Sequence, residues 1–244
     1  VVVWDASSGE QVQAMEGGHG GKPVESMAFS GDGTRVASGG QDGRVVVWDA
    51  SSGEQVQAME GGHGGYTVNS VAFSGDGTRV ASGGGDGRVV VWDASSGEQV
   101  QAMGGGHGGK WVMFVAFSGD GTRVASGGDD GRVVVWDASS GEQVQAMEGG
   151  HGGEWVRSVA FSGDGTRVAS GGDDGRVVVW DASSGEQVQA MEGGHGGEWV
   201  RSVAFSGDGT RVASGGGDGR VVVWDASSGE QVQAMPQRDF SDDG

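Results

Sequence analysis

Arg44-Val45-Val46-Val47-Trp48-Asp49 is the stretch that decides the fold. Three β-branched residues followed by an aromatic one favour an extended strand. The Trp-Asp pair that ends the stretch occurs six times, always 44 residues apart, and its tryptophans are Trp4, Trp48, Trp92, Trp136, Trp180 and Trp224. Self-similarity at a fixed period of this length is typical of repeat architectures, in which copies of one supersecondary unit stack on each other.

The pattern of one repeat, residues 17–60, predicts four short strands joined by tight turns. The strand-length runs are 24–29, 35–38, 44–48 and 54–59. Turn residues separate them, such as 30–33 and 39–43, where Asp-Gly pairs readily adopt the positive φ of hairpin turns. No stretch of ten residues has helical periodicity. A single four-stranded antiparallel sheet cannot bury both of its faces, so we expect successive copies to pack face to face.

The composition excludes several classes of function. The 244 residues include 55 glycines, mostly at regular turn positions, and no cysteine, so disulfides and thiolate metal sites are excluded. The formal net charge of −19 opposes binding to nucleic-acid phosphates and to anionic membranes. No apolar stretch approaches the ~20 residues of a membrane span, and no signal-peptide pattern opens the chain. We therefore expect no nucleic-acid partner and no direct membrane insertion. The sequence does not specify a compartment, and an intracellular, soluble protein is the expectation.

Four recurring residue types give the repeat a family resemblance. Gly18-His19, Ser38, Asp42 and Trp48-Asp49 resemble the WD40 repeat of β-propellers, and the resemblance covers residues 1 to about 235. It implies an all-β, WD40-type propeller of four-stranded antiparallel blades, in which His, Ser, Asp and Trp form a hydrogen-bonded structural relay inside each blade. The relay residues that it assigns are His19, Ser38, Asp42, Trp48, His63, Ser82, Asp86, Trp92, His107, Ser126, Asp130, Trp136, His151, Ser170, Asp174, Trp180, His195, Ser214, Asp218 and Trp224. The near-identical copies also resemble recently amplified arrays of this family.

The period divides the chain into three parts. Residues 1–15 contain only a third and a fourth strand and form a half blade, residues 16–235 form five complete blades of period 44, and residues 236–244 form a C-terminal tail that leaves the repeat at Pro236. Because the chain begins with Val1 and partway through a repeat, we expect it to be a fragment of a longer natural chain. The half blade lacks its inner two strands, so we do not expect the ring to close by itself. The open blade edges predict an oligomer or a larger assembly.

Three features imitate catalytic or metal sites. The five histidines recur once per repeat, which spreads them around a ring, whereas a metal site needs several converging ligands. Residues 104–110 have the spacing of a phosphate-binding loop, but Trp111 stands where Ser or Thr would bind magnesium. Residues 83–87 imitate a calcium-binding repeat, yet the pattern occurs once per 44 residues instead of in tandem. No Ser-His-Asp set or carboxylate pair can be distinguished from the repeat itself. We predict a protein that is not an enzyme, with no catalytic residue, no metal and no cofactor.

The copies differ from one another in two places. One runs from the end of a blade's fourth strand into the next blade's first strand, and the other is a single position in the turn between the second and third strands. In a four-stranded meander these two connections lie at the same end of the sheet, whereas the turns at the opposite end are invariant. Exposed loops on a rigid scaffold often carry binding specificity, and aromatic and arginine side chains are typical of interface hot spots. The candidate partner-binding residues are Lys22, Gln41, Tyr66, Lys110, Trp111, Met113, Phe114, Asp129, Glu154, Trp155, Arg157, Asp173, Glu198, Trp199 and Arg201.

We therefore predict a non-enzymatic protein–protein interaction scaffold or recognition module that binds a protein partner through this variable face. Neutral drift of exposed loops, with some aromatic residues packed between blades, is the alternative explanation of the variation. The alternative function is a constitutive structural subunit of a large multiprotein assembly. Some recently amplified arrays of the family that the copies resemble serve as sensor domains of immune-type receptors. A sensor array of that kind is expected to be joined upstream to a nucleotide-binding switch domain, whereas a structural subunit is expected to co-purify in fixed stoichiometry.

Overall fold

The computed structural model describes residues 1–235, and all of their regular secondary structure is β-strand. The half blade contains β1 (Val2–Trp4) and β2 (Gln11–Ala14). Five complete blades of four strands each follow. Blade 1 contains β3 (Val24–Phe29), β4 (Arg35–Gly40), β5 (Val45–Asp49) and β6 (Gln55–Met59), and blade 2 contains β7 (Val68–Phe73), β8 (Arg79–Gly84), β9 (Val89–Asp93) and β10 (Gln99–Met103). Blade 3 contains β11 (Val112–Phe117), β12 (Arg123–Gly128), β13 (Val133–Asp137) and β14 (Gln143–Met147), blade 4 contains β15 (Val156–Phe161), β16 (Arg167–Gly172), β17 (Val177–Asp181) and β18 (Gln187–Met191), and blade 5 contains β19 (Val200–Phe205), β20 (Arg211–Gly216), β21 (Val221–Asp225) and β22 (Gln231–Met235). The predicted C-terminal tail, 236–244, lies outside the described residues.

Each blade is a simple antiparallel meander in which consecutive strands are neighbours. This order confirms the predicted four-stranded blades and places the half blade as a separate two-stranded sheet. Short turns suffice because antiparallel neighbours need only a hairpin connection. Residues 1–235 contain no helix with the length and apolar character needed to cross a membrane.

The second strand of each blade is longer than predicted. The sequence predicts Gly39 and Gly40 as turn residues, but Gly39 pairs with Val45 and Gly40 pairs with Val24. The prediction of a turn was wrong here for a packing reason. A Cβ on Gly39 would lie 2.6 Å from Cγ1 of Val68 in the next blade. Glycine occupies this strand position because two sheets approach too closely for a side chain.

The hydrophobic core lies between neighbouring blades. At the junction of blades 3 and 4, Val135 and Met147 of blade 3 belong to one buried cluster with Val168 and Trp180 of blade 4. Full burial of a valine or methionine side chain contributes about 1.5–3 kcal/mol. Clusters of equivalent residues fill the other junctions between complete blades, and a smaller cluster joins the half blade to blade 1. Repetition of the sequence therefore repeats one interface.

The two ends of the described array leave apolar faces without a neighbouring blade. Val221 and Met235 of blade 5 are each 43% exposed, whereas Val177 and Met191 at the same positions of blade 4 are buried. At the other end, Trp4 of the half blade is 59% exposed.

A β-bulge in the first strand of every complete blade inserts one extra residue into that strand. In blade 4 the register with the second strand shifts between Val156 and Ser158, so Arg157 is the inserted residue. Bulges commonly re-aim a side chain in this way. The inserted residues of the five blades are Glu25, Asn69, Met113, Arg157 and Arg201. All five belong to the variable part of the repeat.

Candidate functional site

Each complete blade contains a buried chain of hydrogen bonds. In blade 3, Trp136 Nε1 donates to Ser126 Oγ at 2.8 Å, and Ser126 Oγ lies 2.8 Å from His107 Nε2. His107 Nδ1 lies 3.0 Å from Asp130 Oδ1. The same three contacts recur with nearly the same distances in the other four blades. The structure thus brings together the four residues that the resemblance assigns to each relay.

The relay leaves little room for chemistry at its serine. Because the Trp136 N–H points at Ser126 Oγ, the hydroxyl proton is free to be donated to His107 Nε2, and the proton on Nδ1 is donated to Asp130. Trp136, Ser126 and His107 are almost completely buried, and leaving a buried polar group without its partner costs about 1–3 kcal/mol. The hydroxyl is enclosed and bonded to two side chains. We therefore propose a structural role for the relay, in which it fixes strand register.

Two of the relay carboxylates, those of Asp86 and Asp218, have a lowered pKa and are stabilised in their charged form. Burial raises the pKa of Asp86, but the hydrogen bond and charge of His63, together with the backbone N–H and charge of Arg88, outweigh burial, so the pKa of Asp86 lies below its ordinary value. The same balance, with His195 as the partner, lowers the pKa of Asp218. Among residues 1–235, no group of three or more histidine or carboxylate side chains is arranged to hold a metal ion.

The variable loops of successive blades form one continuous edge. A Cβ on Gly131, in a turn after a second strand, would lie 2.7 Å from Cα of Gly153 in the connection to the next blade. The invariant turns meet at the opposite end, where Arg123 donates to the Gly165 carbonyl at 2.6 Å. We call the first edge the variable rim. It comprises Lys22, Glu25, Gln41, Tyr66, Asn69, Gly85, Lys110, Trp111, Met113, Asp129, Glu154, Trp155, Arg157, Asp173, Glu198, Trp199, Arg201 and Gly217.

Four aromatic side chains stand exposed on the variable rim. Trp111, Trp155 and Trp199 occupy the same position of blades 3, 4 and 5 and are 51%, 37% and 38% exposed. Tyr66, one position earlier in the repeat, is 59% exposed in blade 2. The charged residues that replace Tyr66 in the other copies are also exposed, and they are Lys22, Lys110, Glu154 and Glu198.

Phe114 lies apart from the other candidate residues. It is partly buried and packs against the cluster between blades 3 and 4. At the equivalent position, Ser70 and Ser158 accept hydrogen bonds of 3.1 Å from the backbone N–H groups of Val115 and Val203 in the next blade. This position faces the neighbouring blade, so Phe114 belongs to a blade junction instead of the rim.

The bulge residue and the variable turn residue of a blade face each other. Arg157 Nε and Nη2 donate to the two carboxylate oxygens of Asp173 at 2.7 and 2.8 Å. The same guanidinium lies over the Trp155 ring, 4.5 Å from its centroid. In blade 1, Gln41 Nε2 donates to Glu25 Oε1 at 2.6 Å. The two places that vary in sequence therefore meet through a side-chain pair in blades 1 and 4. We did not predict this contact from the sequence.

Blades 2 and 5 have glycine in the variable turn and so lack a side-chain pair. Opposite Gly85, the Asn69 side chain donates instead to a backbone carbonyl of blade 3 at 2.9 Å. Opposite Gly217, the Arg201 guanidinium lies over the Trp199 ring, 4.5 Å from its centroid. The aromatic contact with arginine thus forms with or without a carboxylate in the turn.

Blade 3 has a carboxylate in the turn but no donor at the bulge. Asp129 occupies the position of Asp173, and Met113 occupies the position of Arg157. A thioether cannot donate a hydrogen bond. Asp129 Oδ1 is buried and has no hydrogen-bond partner among residues 1–235.

The comparisons with known proteins define the class of this molecule. The family described as WD domain, G-beta repeat matches residues 9–49, 53–93, 97–137, 141–181 and 185–225. These matches cover most of the chain, so the protein belongs to the WD40 family, whose members are generally non-catalytic and act in protein interactions. No curated protein matches the chain.

One solved structure shows how far the similarity extends. It is described as the crystal structure of the mitotic checkpoint complex, and one of its chains is similar to this one with a TM-score of 0.78 and 26% identity. The similarity covers 88% of this chain and 64% of that chain. It confirms the predicted WD40-type propeller fold. The partner is a separate question, because one fold hosts many functions.

Proposed function

We propose that this chain is a recognition module that binds a protein partner through the variable rim. The observation that carries the proposal is the row of exposed aromatic side chains at Tyr66, Trp111, Trp155 and Trp199. Aromatic and arginine side chains dominate the binding energy of protein interfaces. The invariant turns at the opposite end are also exposed, and drift alone would have changed both ends.

The Arg157 side chain of the rim is also held in place for binding. Arg157 is fixed by two hydrogen bonds to Asp173 and by its contact with the Trp155 ring. A side chain already held in one conformation loses less entropy on association. Arg157 therefore presents a fixed cation and a fixed aromatic surface together.

A constitutive structural subunit is the second candidate function. The similar chain comes from the structure of a multiprotein complex. The exposed faces around Trp4 and Met235 would also be covered in a larger assembly. Such a subunit would co-purify with its neighbours in fixed stoichiometry, whereas a recognition module would exchange its partner.

The proposal is tested by capturing the partner from native extract, followed by affinity measurements on variants of both ends. Trp111→Ala and Arg201→Ala should each weaken binding by about 2 kcal/mol or more, as truncation of a hot spot does. Arg201 is the better arginine to remove, because losing Arg157 would also leave the Asp173 carboxylate unpaired. Glu142→Lys, an exposed position in an invariant turn, is the matched control and should leave affinity within about 0.5 kcal/mol.

The opposite pattern would contradict the proposal. If Glu142→Lys abolishes binding while Trp111→Ala changes nothing, the partner binds the invariant end. Melting temperatures of all variants must accompany the affinities, so that a loss of folding is not taken for a loss of contact.

A further inference from the structure

Blade 4 shows how the variable rim holds one arginine. The Arg157 guanidinium makes two hydrogen bonds, of 2.7 and 2.8 Å, with the Asp173 carboxylate. It also lies 4.5 Å from the centroid of the Trp155 ring. A planar cation that pairs with a carboxylate and stacks on an aromatic ring is a recognition geometry specific to arginine.

Blade 3 has the tryptophan and the aspartate of this arrangement but not the arginine. Trp111 and Asp129 stand at the positions of Trp155 and Asp173, whereas Met113 replaces Arg157. Trp155 and Trp199, each covered by an arginine, are 37% and 38% exposed, whereas Trp111 is 51% exposed. The ring of blade 3 is therefore more open to a ligand than the rings of blades 4 and 5.

The Asp129 carboxylate needs a donor that the described chain does not supply. Its Oδ1 is buried without a hydrogen bond. Three relay carboxylates, those of Asp42, Asp174 and Asp218, also have one such oxygen, but an arginine lies 3.8–4.0 Å from each. Asp129 forms no ion pair within residues 1–235. A buried acceptor without a donor is costly, and a donor from a ligand would remove that cost.

We propose that the site formed by Trp111, Met113 and Asp129 binds an arginine side chain of the protein partner. The inference rests on the proposed function and adds the chemistry of the partner. The arginine would pair with Asp129 and stack on Trp111, repeating between two proteins the arrangement that Arg157 makes within blade 4. Met113 has an unbranched, flexible side chain that can move aside and pack against the arginine stem. The net charge of −19 favours the approach of a cationic segment.

The test uses three short peptides and two variants that the repeat itself shows to be compatible with the fold. The peptides are acetyl-Gly-Arg-Gly-amide and its citrulline and lysine counterparts, titrated into 15N-labelled protein while the indole N–H signal of Trp111 is followed. Asp129→Gly introduces the residue found at Gly85 and Gly217, and Met113→Arg introduces the residue found at Arg157 and Arg201. Trp111→Phe assigns the signal, and Glu142→Lys is the control.

The arginine peptide should shift the Trp111 signal in a saturable way. Citrulline, which has nearly the same shape without the charge, should bind about tenfold more weakly or worse, because hydrogen bonds to charged groups are the stronger ones. Lysine should bind more weakly than arginine, because it lacks the planar fork. Asp129→Gly should remove the acceptor and Met113→Arg should fill the site, and each should weaken the arginine peptide about tenfold or more. Glu142→Lys should change nothing.

Two results would overturn the inference. One is a Trp111 signal that does not respond to the arginine peptide, and the other is equal binding of this peptide to the Met113→Arg and Asp129→Gly variants and to the unchanged protein. Different results would show whether the arginine site or the proposed function is wrong. If a captured partner depends on Trp111 but tolerates replacement of each of its arginines by lysine, the arginine site is wrong and the rim proposal stands. If the partner binds the invariant end, the rim proposal is wrong whatever the peptides do.

Discussion

Arg157 and Asp173 are joined by two hydrogen bonds of 2.7 and 2.8 Å, and they come from the two separate places where the repeats differ. One residue is inserted by a β-bulge at the start of β15, and the other lies in the turn after β16. The pair explains why those two places must be considered together. It also shows what blade 3 lacks, where Met113 and Asp129 occupy the equivalent two positions.

Met113→Arg should stabilise the protein by restoring this pair in blade 3. The equivalent Arg157 and Asp173 side chains are 26% and 21% exposed, so solvent screening limits the expected gain to about 1 kcal/mol. For a domain of this size that corresponds to a rise in melting temperature of about 2–4 °C. The measurement is a double-mutant cycle with Asp129→Gly. The combined variant reproduces the Arg201 and Gly217 combination of blade 5, in which the arginine keeps its contact with the aromatic ring but has no carboxylate opposite it. The arginine should therefore stabilise this variant less than it stabilises the protein that keeps Asp129, and an equal gain in both backgrounds would contradict the pairing.

Trp136→Ala should destabilise the protein strongly. The indole is almost completely buried and donates to Ser126 Oγ, so its removal leaves a cavity and an unpaired hydroxyl. Replacing a core tryptophan by alanine typically costs about 3–5 kcal/mol. Trp4→Ala is the matched control, because Trp4 sits in the same Val-Val-Val-Trp-Asp sequence but is 59% exposed. Its loss should cost less than about 1 kcal/mol. Equal effects in urea unfolding would refute the assigned relay.

Acid should destabilise the fold through carboxylates in the invariant turns. The Ser118 hydroxyl, followed by the backbone N–H and hydroxyl of Thr122, lowers the pKa of Asp120 from 3.8 to about 2. A carboxylate whose pKa is lower in the folded state contributes stability above its unfolded pKa and loses that contribution as the pH falls through its folded pKa. The equivalent carboxylates of the other blades behave alike. The melting temperature should therefore fall between about pH 4 and pH 2.

The pH effect is checked by thermal melts at constant ionic strength. Asp120→Asn keeps an oxygen acceptor but removes the titration, so its melting temperature should depend less steeply on pH than that of the unchanged protein. An identical pH dependence of both proteins would count against this assignment.

Residues 1–244 in isolation should self-associate through the open blade faces. Val221 and Met235 expose apolar surface that is buried at the same positions of the preceding blades, and such surface favours association. Met235→Lys should shift sedimentation toward the monomer. Val188→Lys is the control, because Val188 lies on an outer strand where the equivalent valines of the other blades are also exposed. A monodisperse monomer of the unchanged chain would show that these faces are protected in another way.

The repeat period was sufficient to predict the strands, because each blade makes its own hairpins from local turn chemistry. Asp-Gly pairs such as Asp76-Gly77 predict turns, and Gly77 has the expected positive φ of 68°. The resemblance of the copies to the WD40 repeat was enough to predict the blade and the propeller. The glycine pair at 39–40 was misread as a turn because its reason lies in another blade. Only the packed structure shows that Val68 occupies the space of a side chain there.

By itself the sequence determined the all-β class and the four-stranded unit, since these depend on local patterns repeated every 44 residues, and its resemblance to the WD40 repeat assigned the relay residues. It also located the two variable places. The tertiary structure decided how they meet, because the bulge turns Arg157 toward Asp173 across a strand pair. It also placed Phe114 in a blade junction and left Asp129 without a donor. Contacts across strands and between blades depend on distances that a linear pattern does not contain.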